Sequence, residues 1–184
     1  MILFVHSCDR RHFLWPTWQR FFDKSGWDAE VRWIKSNEQF SDQLKTALES
    51  ITDEYVWYTL DDFFISEPID WKHYEKLAVK HKVDAIRVQP NVRMDALPYR
   101  FEKFNDGLLK QLPHSEYTMS MQASIWRREY FLECLTPGLN PWQLETAPLK
   151  RFGNVYFVSD LGWWYTDGTK HGVYRARGRK MVSE

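Results

Sequence analysis

The sequence predicts an α/β fold with a parallel sheet covered by helices. Three observations carry this. Short apolar runs recur at residues 2–6, 31–34, 55–60 and 85–88. The segments between them place large apolar residues at helical spacing. Through residue 88 the order is therefore β-α-β-α-β-α-β, which parallel sheets with helical crossovers produce.

Each element has its own signal. Residues 2–6 (ILFVH) read as a buried strand that feeds the polar loop Ser7-Cys8-Asp9-Arg10. Trp15, Trp18, Phe21 and Phe22 define a helix, and Pro16 suits its first turn. A second strand at 31–34 precedes an amphipathic helix marked by Phe40, Leu44, Ala47, Leu48 and Ile51. Residues 55–60 (YVWYTL) are a continuous apolar strand, with Asp61-Asp62 at its carboxyl end. Asp70 is a helix cap ahead of Trp71, Tyr74, Leu77 and Ala78, and residues 85–88 form a fourth strand. Residues 89–118 contain Pro90, Pro98 and Pro113 and read as loops or short strands. A helix is expected over 124–135, and Asn140-Pro141 opens a short helix through Trp142 and Glu145. Late short strands fall at 155–158 and 172–174. With no repeat, linker or low-complexity segment, residues 1–184 read as one domain.

Composition narrows the function. Lys plus Arg and Asp plus Glu are each 25, so the formal net charge is zero. That argues against a nucleic-acid partner, because phosphate backbones reward a basic face. Aromatic residues reach 17%, including 10 Trp. A Trp N–H needs a partner when buried, so this number suggests a partly exposed binding wall as well as a core. Cys8 and Cys134 are far apart and outside any CxxC pair, which suits a reducing, cytoplasmic setting. The apolar start is too short for a signal peptide, and no run approaches a transmembrane span. The basic run 175–180 (RARGRK) leaves peripheral contact with anionic lipid open beside a solvated tail.

Asp61-Asp62 leads the candidates for chemistry. Adjacent carboxylates beside a core are costly unless something positive holds them. Mg²⁺ or Mn²⁺ does so with one or two carboxylates plus substrate phosphates, while solvated capping acids are the bland alternative. There is no GxSxG, no GxxxxGK and no dinucleotide fingerprint.

The stretch VWYTLDDFFISEPID resembles the strand and acidic turn of glycosyltransferases of the GT-A fold. The segments SMQASIWRREYF and PWQLE resemble, in order, those of small bacterial and viral GT-A-like proteins, and FVHSCDR fits the first strand and nucleotide loop. The resemblance implies a three-layer α/β/α sandwich with a mostly parallel central sheet. It implies transfer of a sugar from a nucleotide-diphosphate donor to a glycan or other hydroxyl acceptor, with inversion. In the Asp-x-Asp frame Leu60 takes the first position, Asp61 the middle and Asp62 the acid that holds Mn²⁺ or Mg²⁺.

Further roles follow from the same resemblance. Glu145 would be the catalytic base, against a plain helix-dipole role. Ser7, Asp9 and Arg10, with Asp61, would meet the nucleotide. Ser120, Gln122 and Trp142 would meet the substrate. His171 would be a second metal ligand, and Arg175, Arg177 or Lys170 would meet the diphosphate. Trp126, Trp163 and Trp164 join Trp142 as candidate sugar-stacking faces. The competing classes are a metal-dependent phosphohydrolase or nuclease and a non-catalytic carbohydrate-binding module.

Overall fold

Strand β1 (Ile2–Ser7) alternates its side chains between two apolar layers: Leu3 and Val5 enter one, Ile2 and Phe4 the other. The computed structural model describes residues 1–36, 39–65, 68–88, 101–113, 119–158, 165–167, 169–170 and 173–174. β1 lies between β2 (Val31–Lys35) and β3 (Tyr55–Leu60), parallel to both, with Leu3 in register with Val31 and Trp57.

After β3, residues 61–62 form a turn into β4 (Phe63–Ile65). Then come β5 (Ala85–Arg87), β6 (Phe101–Lys103), β7 (Leu108–Gln111), β8 (Ser124–Arg127) and β9 (Val155–Val158). The main sheet has eight strands in the order β2-β1-β3-β8-β5-β9-β7-β6. Only β7 and β8 run against the other strands of this sheet, so it is mostly parallel. Helices α1 (Trp15–Phe22) and α3 (Trp71–Lys80) cover one face. Helices α2 (Phe40–Glu49), α4 (Arg128–Cys134) and α5 (Pro141–Thr146) cover the other. This is the expected three-layer α/β/α sandwich.

The cap signals hold. Asp70 accepts a hydrogen bond from the His73 N–H, and Asn140 forms a reciprocal capping box with Gln143. The helix expected over 124–135 is corrected: its first four residues are β8, and only Arg128–Cys134 is helical. The reason is positional. β8 is an interior strand with Ile125 in one core and Trp126 in the other. A strand buried on both faces is apolar throughout, which periodicity cannot separate from a buried helix. Its far end is pinned by Asp84, just ahead of β5, which accepts from the Arg127 Nε (2.9 Å) and the Arg151 Nη1 (2.9 Å).

Of the tryptophans described, Trp18, Trp57, Trp71 and Trp126 are core, and Trp27 and Trp33 pack against it. Trp57 and Trp71 pack edge to face with centroids 4.6 Å apart, and Trp27 meets Trp71 at 5.0 Å. Trp57 donates its N–H to Glu75, and Trp71 to the Ser25 carbonyl. Trp126 is also buried, donating to Ser124 Oγ, which corrects its expected place on a sugar-binding wall. Trp163 and Trp164 lie outside the described residues.

His6 closes the carboxyl end of β1. Its ring stacks on Phe40 with centroids 3.8 Å apart, and its Nε2 lies 2.6 Å from Ser36 Oγ. Burial lowers its pKa to about 3. The unfolded chain takes up this proton near pH 6.5, and the folded chain only near 3, so stability falls as pH drops between those values. Between pH 7 and 5 this residue is expected to cost about 2 kcal/mol. Urea unfolding at both pH values should show that much less loss in His6→Gln than in the parent. An unchanged pH dependence in His6→Gln would refute the assignment.

Candidate functional site

Ligands of open α/β sheets bind beyond the carboxyl ends of the parallel strands. At that edge β1 ends in Ser7 and β3 leads into Asp61 and Asp62, whose turn the Asp61 N–H ties to the His6 carbonyl (3.2 Å). Because β8 runs the other way, its start at Ser124, beside Tyr58 and Arg87, lies at this same edge. The residues just ahead of it, Ser120 to Gln122, therefore arrive here too.

Asp61 is fully buried and Asp62 is 7% exposed. A buried carboxylate needs paired charge and hydrogen bonds. Ser7 Oγ donates to Asp61 Oδ2, and Trp15 Nε1–H donates to Ser7 Oγ (2.6 Å). Arg11 spans both acids: Nη1 donates to Asp61 Oδ1 (3.0 Å) and Nη2 to Asp62 Oδ2 (2.7 Å). Burial pushes the Asp61 carboxyl up to about 6, against the opposing pull of Ser7 and Arg11. Burial also opposes the charge on Arg11, but Asp62 and Asp61 outweigh it and raise its pKa.

Glu145 sits on α5. Its Oε1 accepts from the Met121 backbone N–H (2.8 Å) and from Ser120 Oγ (3.1 Å). Its Oε2 takes no hydrogen bond among the described residues. The hydroxyl of Tyr58, wholly buried in β3, has its pKa raised well above 10, first by burial and then by Glu145, Asp61 and Asp62. Both acidic groups thus bear on one buried phenol.

A cavity of about 470 Å³ opens at this edge. His6, Cys8 and Arg11 line one side, and Phe40, Asn140 and Gln143 line another. Trp142, next to the lining residue Pro141, is 65% exposed.

The structure joins Ser7, Asp61 and Asp62 in one hydrogen-bonded group, and Ser120 with Glu145 in another. Gln122 is half-buried, with its N–H 3.4 Å from Ser120 Oγ. Asp9 and Arg10 lie exposed on a 3-10 turn over Asp9–Leu14. The residue that reaches the acids is Arg11, which the sequence reading passed over. Nothing in its charge sets it apart from Arg10; the winding of the 3-10 turn does.

His171, Arg175 and Arg177 lie outside the described residues, as does the side chain of Lys170. The chain nevertheless returns to the acid pair. Strand β10 (Tyr165–Asp167) pairs antiparallel with β4, setting Asp167 in register with Phe63. Two short strands, β11 (Thr169–Lys170) and β12 (Val173–Tyr174), follow and flank His171 in sequence.

The resemblance read from the sequence implies a divalent cation at the acids. Among the described residues the acids themselves are what could hold one, and Arg11 already stands on both. Both Asp61 oxygens are engaged and Arg11 holds Asp62 Oδ2, while the buried Asp62 Oδ1 accepts no hydrogen bond among the described residues; no group of three or more His, Cys, Asp or Glu side chains among them is arranged to hold a metal.

No family model and no curated protein matches the sequence. Solved structures do match. Residues 1–349 of TarS from S. aureus, solved with UDP-GlcNAc, superpose with a TM-score of 0.60 at 12% identity over 98% of this chain. The chain spans 64% of that TarS fragment. HddC from Yersinia pseudotuberculosis, complexed with GMP-PN, gives a TM-score of 0.53 at 10% identity, covering 90% of this chain and 92% of HddC. An apo UDP-glucose pyrophosphorylase gives 0.50 at 12% identity, covering 90% and 75%. These likenesses show the fold, and it is the GT-A, nucleotide-diphospho-sugar-transferase-like fold that the sequence resembles. Among the described residues no helix is long and apolar enough to cross a membrane.

The clasp has a testable energetic signature. Arg11→Met leaves two carboxylates in a poorly hydrated turn and is expected to cost about 2 kcal/mol, below the fully buried range because the Arg11 side chain is 27% exposed. Adding Asp61→Asn should recover part of that loss in urea unfolding. Strictly additive losses would contradict the pairing.

Proposed function

We propose that the chain transfers a glycosyl group from a nucleotide-diphosphate sugar to a hydroxyl acceptor, with inversion at the anomeric carbon. The observation that carries this reading is the convergence of two carboxylate groups at one strand edge, beside a cavity of about 470 Å³. The likeness to TarS bound to UDP-GlcNAc supports the donor class. Ser7 and Asp61 would hold the nucleoside end. Ser120, Gln122 and Trp142 would meet the sugars, Trp142 by stacking.

In the reaction, Glu145 Oε2 takes the proton of the acceptor hydroxyl. The acceptor oxygen attacks the anomeric carbon from the face opposite the diphosphate. The bond from that carbon to the diphosphate oxygen breaks, and the nucleoside diphosphate leaves with the electron pair. Glu145 is the catalytic residue here. Ser120 Oγ and the Met121 N–H are its positioning groups, since two donors on Oε1 fix the carboxylate and leave Oε2 to act. By the resemblance, Asp62 and His171 would be the ligands of a bound cation, and such an ion would have to share Asp62 with Arg11.

The likeness to UDP-glucose pyrophosphorylase favours one other reading, nucleotidyl transfer onto a sugar phosphate. The two differ in product: pyrophosphate is released only in the second.

Melting curves with UDP, GDP and other nucleoside diphosphates are expected to show stabilisation by at least one. Glu145→Gln should keep that stabilisation and lose transfer by roughly 100-fold or more, the usual scale of general-base loss. Undiminished turnover in Glu145→Gln would remove the base assignment, and stabilisation by no nucleotide would remove the donor class.

A further inference from the structure

The acid pair already has a cation. Arg11 places Nη1 and Nη2 on Asp61 and Asp62, at 3.0 and 2.7 Å. A divalent ion binds carboxylate oxygens at about 2.1 Å, so one bound to these oxygens would lie within about 5 Å of the guanidinium. Two cations that close, at a turn where Asp61 is 0% and Asp62 7% exposed, repel strongly because little water screens them. The alternative occupant is also held firmly. Ser7 fixes Asp61 from the other side, and Trp15 fixes Ser7. Arg11 also lines the cavity, so the guanidinium N–H groups that do not face the acids are within reach of a ligand there.

We propose that Arg11 is the resident counter-cation of the acid pair: it and a divalent metal exclude one another at Asp61 and Asp62, and Arg11 meets a nucleoside diphosphate in the metal's place. The diphosphate half of this rests on the reading of the cavity as the donor site; the exclusion half does not. A guanidinium suits both tasks, because its five N–H donors can meet carboxylates on one edge and a phosphate on another.

The test has two arms. In the first, Mn²⁺ alone is titrated into the protein and followed by the electron paramagnetic resonance of the free ion. The parent chain is expected to leave the free-ion signal intact up to millimolar Mn²⁺. Arg11→Gln should bind Mn²⁺ roughly tenfold more tightly or better, and Arg11→Gln with Asp62→Asn should lose that binding again. Melting curves confirm that each variant is folded, and Arg11→Lys, which keeps the charge, should bind Mn²⁺ no better than the parent. Equal Mn²⁺ binding by parent and Arg11→Gln would overturn the exclusion.

In the second arm, UDP is added in EDTA and in Mn²⁺. The parent should gain the same melting temperature in both, whereas Arg11→Gln should gain it only with Mn²⁺. Loss of the parent's UDP effect in EDTA would overturn the metal-free contact. Absence of a UDP effect in every sample would count against this role for Arg11 and against UDP as the donor nucleotide, while the Mn²⁺ arm still decides the exclusion.

Discussion

A carboxylate with no exposed surface stands at the end of β3, and the functional edge is organised around keeping it charged and satisfied. Asp61 draws Ser7 from β1 and Arg11 from the turn that follows, and through Ser7 it draws Trp15 at the start of α1. One buried acid thus links the first strand, the first helix and the third strand. Arg11 then carries the link on to Asp62 and to the cavity wall. The parallel pairing of β1 with β3 makes this possible, since it brings both carboxyl ends to the same side.

A second constraint places Glu145. β8 enters the sheet against the direction of its neighbours, so its lead-in segment arrives at the edge where β3 departs. The Met121 N–H and Ser120 Oγ then catch Glu145 from α5. Had β8 been parallel, those groups would lie at the opposite edge, beside Asp84 and its arginines. The antiparallel strand is therefore part of the site's construction.

The first half of the fold was legible because strand and helix periods alternate from Ile2 to Arg87; the short β4 after the acid turn was missed, since its three residues pair only with the distant β10. The caps at Asp70 and Asn140 were legible because their chemistry is local. β8 was not, since the apolar run around Ile125 and Trp126 becomes a strand only through long-range pairing with β3 and β5. The acid pair could be picked out from its position after an apolar strand. Its partner could not: the choice of Arg11 over Arg10 depends on how the 3-10 turn winds, and charge alone does not reveal that. The tryptophans showed the same limit. Their number suggested a binding wall, yet Trp57, Trp71 and Trp126 fill the core, and Trp142 stands exposed beside the cavity.

On the proposed reading, a nucleotide-sugar donor binds where β1 and β3 end. A crystal structure of the chain soaked with UDP tests it most directly. The expected result is density for the diphosphate in the cavity beside Arg11, with Asp61 and Ser7 still joined. UDP bound instead at the opposite end of the sheet, in the groove beside Met1 and Asp53, would contradict it.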